Sequence, residues 1–208
     1  MEMRKVTVFI TRNNNGQKEL LLFKHPNAGI QIPAGTIEEN ELPEDAAIRE
    51  VWEETGLEKF GSINYIGCHN NVLPQNKVYV VNSTPVFSRP DENSFQWASF
   101  RRGIIVQQME RCRNDFEHVM YKEYDSVEQK NYVSYEIVGW INKKSISPKA
   151  KRYFYHMEIN KKTDDVWVRN ADHHMFEMFW APLNNLPQII HPQDEWLQYV
   201  RDNLRYEF

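Results

Sequence analysis

Cysteine is scarce in this chain of 208 residues: only Cys68 and Cys112 occur. That excludes a disulfide-stapled scaffold, and two ordinary thiols are the expectation. A basic surplus is missing as well. Lys and Arg number 25 against 29 Asp and Glu, a formal net charge of -4, which argues against a general nucleic-acid binder. No apolar run approaches the ~20 residues needed to cross a membrane. The opening stretch, "MEMRKVTVFITRNNNGQ", has neither an apolar signal core nor a small-residue cleavage site, so a cytoplasmic home is expected. Repeats, low-complexity tracts and Gly/Ser linkers are absent.

What the chain does have is apolar material, 41% hydrophobic and 13% aromatic. That is enough for one elaborated domain with a real core, and the charged fraction gives no sign of disorder. Val6 to Thr11 and Glu19 to Lys24 are β-forming runs joined by the turn "RNNNGQ", which predicts a hairpin. Gly29 to Gly35 reads as a short strand feeding a loop. Pro43 to Thr55 reads as a helix, with Pro43 in the first turn, Glu44 and Asp45 at the positive end of the dipole, and Gly56 as a left-handed cap. Strands are expected at Ser62 to Cys68 and Lys77 to Ser83, then an antiparallel meander from about Gly103 to Ile141. "ISPKAKRYFYHMEI" and "HHMFEMFWAPL" read as late strands, and Gln193 to Leu204 as a closing amphipathic helix. The stretch Ser88 to Ser94 reads as a loop into an insertion at about 84–145. Such an insertion serves as a lid, a specificity wall or a dimer surface.

The segment Gly35 to Leu57, "GTIEENELPEDAAIREVWEETGL", concentrates carboxylates. On a helix, Glu50, Glu53 and Glu54 at i, i+3 and i+4 share an arc of roughly 100°. Ile48, Val51, Trp52 and Thr55 would then face the core. Like charges at this spacing cost a few tenths of a kcal/mol per pair. A hard divalent cation resolves the conflict, because magnesium and manganese take oxygen ligands. Arg49 adjoins the trio and can steady a carboxylate through a two-pronged bond. An isolated E-x-x-E-E is more often a solvated helix face. Here, however, the whole pattern G-x5-E-x7-R-E-U-x-E-E-x-G-U, with U aliphatic, is filled by Gly35, Glu41, Arg49, Glu50, Val51, Glu53, Glu54, Gly56 and Leu57.

On this motif the chain resembles the Nudix hydrolase family. The resemblance implies an α/β/α sandwich around a mixed β-sheet, here within one domain over 1–208 and elaborated by the meander. It implies Mg2+-dependent, or Mn2+-dependent, hydrolysis of a diphosphate linkage in a nucleoside diphosphate derivative or related organic diphosphate. Carried over residue by residue, Glu50, Glu53 and Glu54 match the metal ligands, with the Ala34 carbonyl as a backbone ligand. Arg49 matches the orienting arginine, and Glu41 an auxiliary acid. The general base would be Glu53 or a downstream acid. Asp172 is a candidate fourth ligand or base, weighed against a plain turn beside His173 and His174. Glu117, Glu123 and Asp125 are rivals for that role. Phe87, Trp97 and Phe100 suit core or lid packing better than base stacking. Lys24, Arg101 and Arg102 are weak phosphate-binding candidates. The expected partner is thus a small, nucleotide-derived diphosphate, with no nucleic acid and no membrane; a homodimer would suit the family.

Two other readings stay open. An isoprenoid-diphosphate isomerase of the same fold would need a catalytic cysteine, Cys68 or Cys112. A non-hydrolytic nucleotide sensor would usually have lost motif carboxylates, and this motif is intact.

Overall fold

Apolar alternation and turn chemistry dictate most of the architecture. The structure is a computed structural model describing residues 1–125, 130–171 and 174–204. Its strands are β1 Met3–Asn14, β2 Gln17–His25, β3 Gly29–Gln31, β4 Ala34–Thr36, β5 Ile63–Val72, β6 Lys77–Val80, β7 Thr84–Phe87, β8 Gln96–Phe100, β9 Ile105–Arg113, β10 Phe116–Tyr124, β11 Val133–Asn142, β12 Ile146–Ser147, β13 Lys149–Ile159, β14 Val166–Ala171 and β15 His174–Pro182. Its helices are α1 Pro43–Thr55 and α2 Gln193–Leu204. Among the described residues no helix is long and apolar enough to cross a membrane.

The chain divides into two compact units. One comprises residues 5–69 and 152–208, the other residues 1–4 and 70–151. The stretch expected as an insertion, 84–145, falls inside the second.

In the first unit, β1 and β2 form the expected hairpin, in register from Thr11↔Leu20 to Asn14↔Gln17. The turn works because Asn15 and Gly16 both take positive φ, 53° and 88°, the conformation that matches strand twist in a two-residue loop. The sheet runs β14-β15-β2-β1-β13-β5, with β3 on β2 and β4 on β1. Both β15–β2 and β14–β15 pair antiparallel. Beside β1, β13 runs parallel. Arg152 bonds the Thr7 hydroxyl at 2.8 Å and His156 the Thr11 hydroxyl at 2.8 Å, so the contacts advance in step along both strands. The sheet is therefore mixed, as expected.

Period-two alternation then sorts side chains to two faces. Val6, Val8, Ile10, Leu21 and Phe23 pack with Ala46, Ala47 and Val51 of α1 on one face. Phe9, Leu20, Leu22 and Phe154 pack with Leu197 and Val200 of α2 on the other. The expected sandwich of helix, sheet and helix is present. A fully buried side chain such as Val51 contributes about 1.5–3 kcal/mol.

The second unit holds a sheet in the order β12-β6-β9-β10-β11-β7-β8. The meander is the β9-β10-β11 ribbon, with long registers on both sides of β10. Here Ser88 to Ser94 is the turn of the β7–β8 hairpin, closed by the Ser88 amide donating to the Phe95 carbonyl at 2.9 Å. β8 is short and escapes a sequence reading: only its last residue, Phe100, is buried, while Gln96, Trp97 and Ser99 are exposed. Phe87 and Phe100 are buried and pack against Phe116 and Tyr121.

Candidate active site

The site starts from the way β1 changes partners. From Thr11 onward it pairs with β2, but at Lys5, Val6 and Thr7 it pairs with Thr36, Gly35 and Ala34 of β4. That switch sets β4, and the loop leading to α1, beside the first residues of the unit.

The α1 helix begins with Pro43 in its first turn, after an N-cap, Leu42, that makes no side-chain bond. Glu44 and Asp45 favour the positive end of the dipole. Gly56, at φ 76°, closes the helix by donating its amide to the Trp52 carbonyl at 2.9 Å. The last turn carries no basic residue. β14 supplies that charge: Arg169 reaches the carbonyls of Glu53 and Trp52 at 3.3 and 3.4 Å, and the Trp167 indole donates to Thr55 O at 2.8 Å.

The buried face of α1 is not the one expected. Ile48 and Trp52 are 37% and 48% exposed. Ala46, Ala47, Val51 and Thr55 are buried, and so are Glu50 and Glu54. The reason is geometric. Residues 47, 50, 51 and 54 form a single i, i+3, i+4, i+7 stripe, so the helix that buries Val51 must also carry two carboxylates against the sheet. Glu54 meets its burial by accepting the Ala34 amide at 2.9 Å. Glu50 lies against Gly35 so closely that a Cβ there would stand 1.9 Å from its carboxylate. A glycine is required at this position by that approach, not by its backbone angles.

Arg49 ties the acids together. Its Nε and Nη2 donate to the two oxygens of Glu41 at 2.8 and 3.0 Å. Nη1 donates to Glu50 and Glu53, each at 2.9 Å, and Nη2 also reaches the Thr36 carbonyl at 3.1 Å. The Glu41 bond is the first cause, ahead of Glu50 and Glu53, of the guanidinium's pKa being raised still further. Glu41 in turn accepts the Glu38 amide at 2.7 Å. Glu53 is the most open of the carboxylates around Arg49, its side chain 44% exposed against 12% for Glu50.

Glu41, Arg49, Glu50, Glu53, Glu54 and Ala34 are thus brought together. Asp172 lies outside the described residues. Glu117, Glu123 and Asp125 belong to the second unit, where Glu123 accepts the Tyr121 hydroxyl and Asp125 accepts the Tyr132 amide. Arg102 there donates to Val81 O.

Among the described residues, no three His, Cys, Asp or Glu side chains already converge as a closed metal cage. The carboxylates are drawn instead to Arg49 and to the Ala34 amide. The donor set is nonetheless all oxygen and strongly anionic. It fits a hard cation of the magnesium type, which takes one or two carboxylates and completes its shell with water and substrate phosphates.

Two buried or half-buried cations did not figure in the sequence reading, Lys5 on β1 and Arg152 on β13. Arg152, on β13, donates to Val6 O at 3.0 Å and Thr7 Oγ1 at 2.8 Å, and stacks 4.1 Å from the Trp196 ring centre. Burial, and next the nearby Arg152, lower the Lys5 pKa to about 8, while Glu50 acts in the opposite direction. A cation inside an apolar, alternating strand was the available signal.

The NUDIX domain profile matches residues 1–129, more than half of the sequence. The chain belongs to the Nudix family. Over 62 residues this Nudix protein is 44% identical to a Bacillus subtilis (strain 168) protein named provisionally as the 8-oxo-dGTP diphosphatase YtkD. That match takes in 30% of this chain and spans only 38% of the relative. The Nudix domain of Shewanella oneidensis NrtR, solved with ADP ribose, aligns at 12% identity and a TM-score of 0.49, over 98% of this chain and 89% of that one. A C. elegans Ap4A hydrolase aligns at 15% identity and a TM-score of 0.47, over 98% of both chains.

Proposed function

We propose that this chain is a Nudix diphosphohydrolase. It cleaves a diphosphate linkage in a nucleoside diphosphate derivative or related organic diphosphate, using Mg2+ or Mn2+. The observation that carries this reading is the four-way grip of Arg49 on Glu41, Glu50, Glu53 and the Thr36 carbonyl. Nothing in the stability of a surface helix calls for one guanidinium to hold three carboxylates beside a backbone turn.

The proposed chemistry asks the protein mainly for positioning. Glu50, Glu53 and Glu54, with the Ala34 carbonyl, would hold the metal. When bound, Mg2+ or Mn2+ neutralises phosphate charge and acidifies water. Arg49 fixes the rotamers of Glu50 and Glu53, and Glu41 fixes Arg49. Glu53, the more open acid, is the proposed acceptor of the attacking water's proton. The name of the B. subtilis relative adds oxidised purine nucleoside triphosphates to the substrates worth trying.

The test is an assay of phosphate, pyrophosphate and nucleotide release. The panel holds nucleoside diphosphate derivatives and nucleoside triphosphates, 8-oxo-dGTP included, each with Mg2+ or Mn2+. Metal-dependent turnover of at least one compound, abolished by Glu53→Gln, is the expected result. Silence across the panel under both metals would sink the hydrolase reading, and full activity in Glu53→Gln would sink the role given to that residue.

A further inference from the structure

We propose that Arg169 and Trp167, on β14, are positioning residues for Glu53: they clamp the C-terminal turn of α1 and so hold the backbone that carries the acid. The inference rests on the diphosphohydrolase reading and adds to it two residues far in sequence from the Gly35 to Leu57 motif.

The C-terminal end of α1 is its weak end, and the site depends on it. A helix leaves its last four carbonyls without partners of its own, and helix ends fray. Here the last turn is Trp52 to Thr55, and it holds Glu53 and Glu54, two of the acids proposed to hold the metal. Both bring negative charge to the negative end of the helix dipole, and the turn has no basic residue to offset them.

β14 makes up the difference. Arg169 Nε donates to Glu53 O at 3.3 Å, and Nη2 to Trp52 O at 3.4 Å. The Trp167 indole donates to Thr55 O at 2.8 Å. The Arg169 guanidinium also lies over the Trp52 ring, 5.4 Å from its centre, within the range of a cation–π contact. That contact gives the exposed Trp52 a role on the helix surface. A Cβ at Gly56 would stand 3.5 Å from Arg169, so the side chain lies against the cap residue itself.

The strand register puts both residues where the clamp needs them. Trp167 pairs with Met178 and Arg169 with Phe176 of β15, and alternation sets the two side chains on one face of the sheet. Trp167, Phe176 and Met178 pack with Ala46, Ala47 and Val51, so that face is the one α1 covers. Glu53 is then held at both ends. Arg49 holds its carboxylate at 2.9 Å, and Arg169 holds its carbonyl. Arg49 stands one turn earlier on the same helix and moves with it, whereas Arg169 ties the acid to the sheet. The same sheet carries β4, where the Ala34 amide receives Glu54 and Gly35 makes room for Glu50. The clamp therefore fixes Glu53 relative to the seats of the other two acids.

The experiment compares wild type with Arg169→Ala, Arg169→Met, Arg169→Lys and Trp167→Phe, each first checked for an intact melting transition. Arg169 borders a cavity of about 580 Å³ with Thr55, Gly56 and Trp167, so truncating it enlarges that space and leaves the packing of Val51 in place. Amide hydrogen exchange and steady-state kinetics are read on the same proteins. Arg169→Ala and Arg169→Met should speed exchange at residues 53–56 roughly tenfold, with residues 47–50 unchanged. They should lower kcat about 10- to 100-fold on any turned-over substrate, with KM within about threefold of wild type. Arg169→Lys keeps a charged donor and should recover to within about fivefold of wild type in both readouts. Trp167→Phe keeps the ring, loses the donor and should share both effects at about threefold or more. A Trp167→Phe protein like wild type in both removes Trp167 from the clamp. A folded Arg169→Met protein with unchanged exchange and a kcat within about twofold of wild type overturns the proposal and leaves the hydrolase reading intact. Faster exchange with an unchanged kcat overturns it too, because the clamp then serves the fold alone. Silence of wild type across the panel removes the hydrolase reading and with it the positioning role, and exchange alone then judges the clamp on the helix end.

Discussion

Arg49 holds Glu41 through two parallel bonds, Nε to Oε1 at 2.8 Å and Nη2 to Oε2 at 3.0 Å. The remaining nitrogen is thereby aimed at Glu50 and Glu53. Lysine keeps the charge but cannot serve two oxygens of one carboxylate and two further acids at once. Arg49→Lys should therefore lower kcat about 10- to 100-fold, the range typical when a partner of a metal ligand is lost. Steady-state kinetics against a folded control checks this; a kcat within about twofold of wild type would refute the positioning role.

Gly35 leaves the space that the Glu50 carboxylate occupies, and that fixes a second prediction. In Gly35→Ala the new methyl would sit 1.9 Å from the Glu50 carboxylate, so Glu50 must move. Displacing a catalytic group by about 1 Å costs on the order of 10²-fold in rate. The expected outcome is a loss of that size, with a raised Mg2+ requirement and a circular-dichroism spectrum like wild type's. Normal kinetics at low Mg2+ would show that Glu50 need not lie against β4.

These two contacts also show what the sequence could and could not convey. The spacing of Gly35, Glu41, Arg49, Glu50, Glu53 and Glu54 made the grouping legible, because helix geometry turns spacing into adjacency. The β1–β2 hairpin and the β9–β11 ribbon were legible from alternation and turn residues. The buried face of α1 was misread because hydrophobicity assigned Ile48 and Trp52 inward, whereas two acids share the Val51 stripe. Lys5 and Arg152 stayed hidden for another reason. They are distant in sequence, and only the β1–β13 pairing joins them.

His156 supplies a pH prediction away from the site. Its ring bonds the Thr11 hydroxyl at 2.8 Å and is buried, and burial lowers its pKa. Below the ordinary value of 6.5 the unfolded chain binds a proton that the folded chain refuses. Stability should then fall as pH drops from 6.5 toward the lowered value, by at most about 1.4 kcal/mol per pH unit for one proton. His156→Gln should flatten that part of the curve. Chemical denaturation at a series of pH values measures both slopes, and identical slopes would remove His156 as the cause.

Lys5 supplies a second pH prediction, of the same sign at higher pH. Its pKa is 10.5 unperturbed and about 8 in the fold. At pH 7 it is charged in both states, and the cost of burying that charge beside Arg152 is fully present. Between about pH 8 and 10.5 the folded chain has released the proton while the unfolded chain still holds it, so this residue's contribution makes stability rise across that window. Lys5→Met removes the charge and keeps the length. It should stabilise the fold at pH 7 by about 1–2 kcal/mol after allowance for solvent screening, or roughly 2–8 °C in Tm. The gain should shrink as pH approaches 10.5. Differential scanning calorimetry at pH 7 and pH 10 decides it: a Lys5→Met protein less stable than wild type at both values would show that the interactions Lys5 makes outweigh the cost of burying its charge.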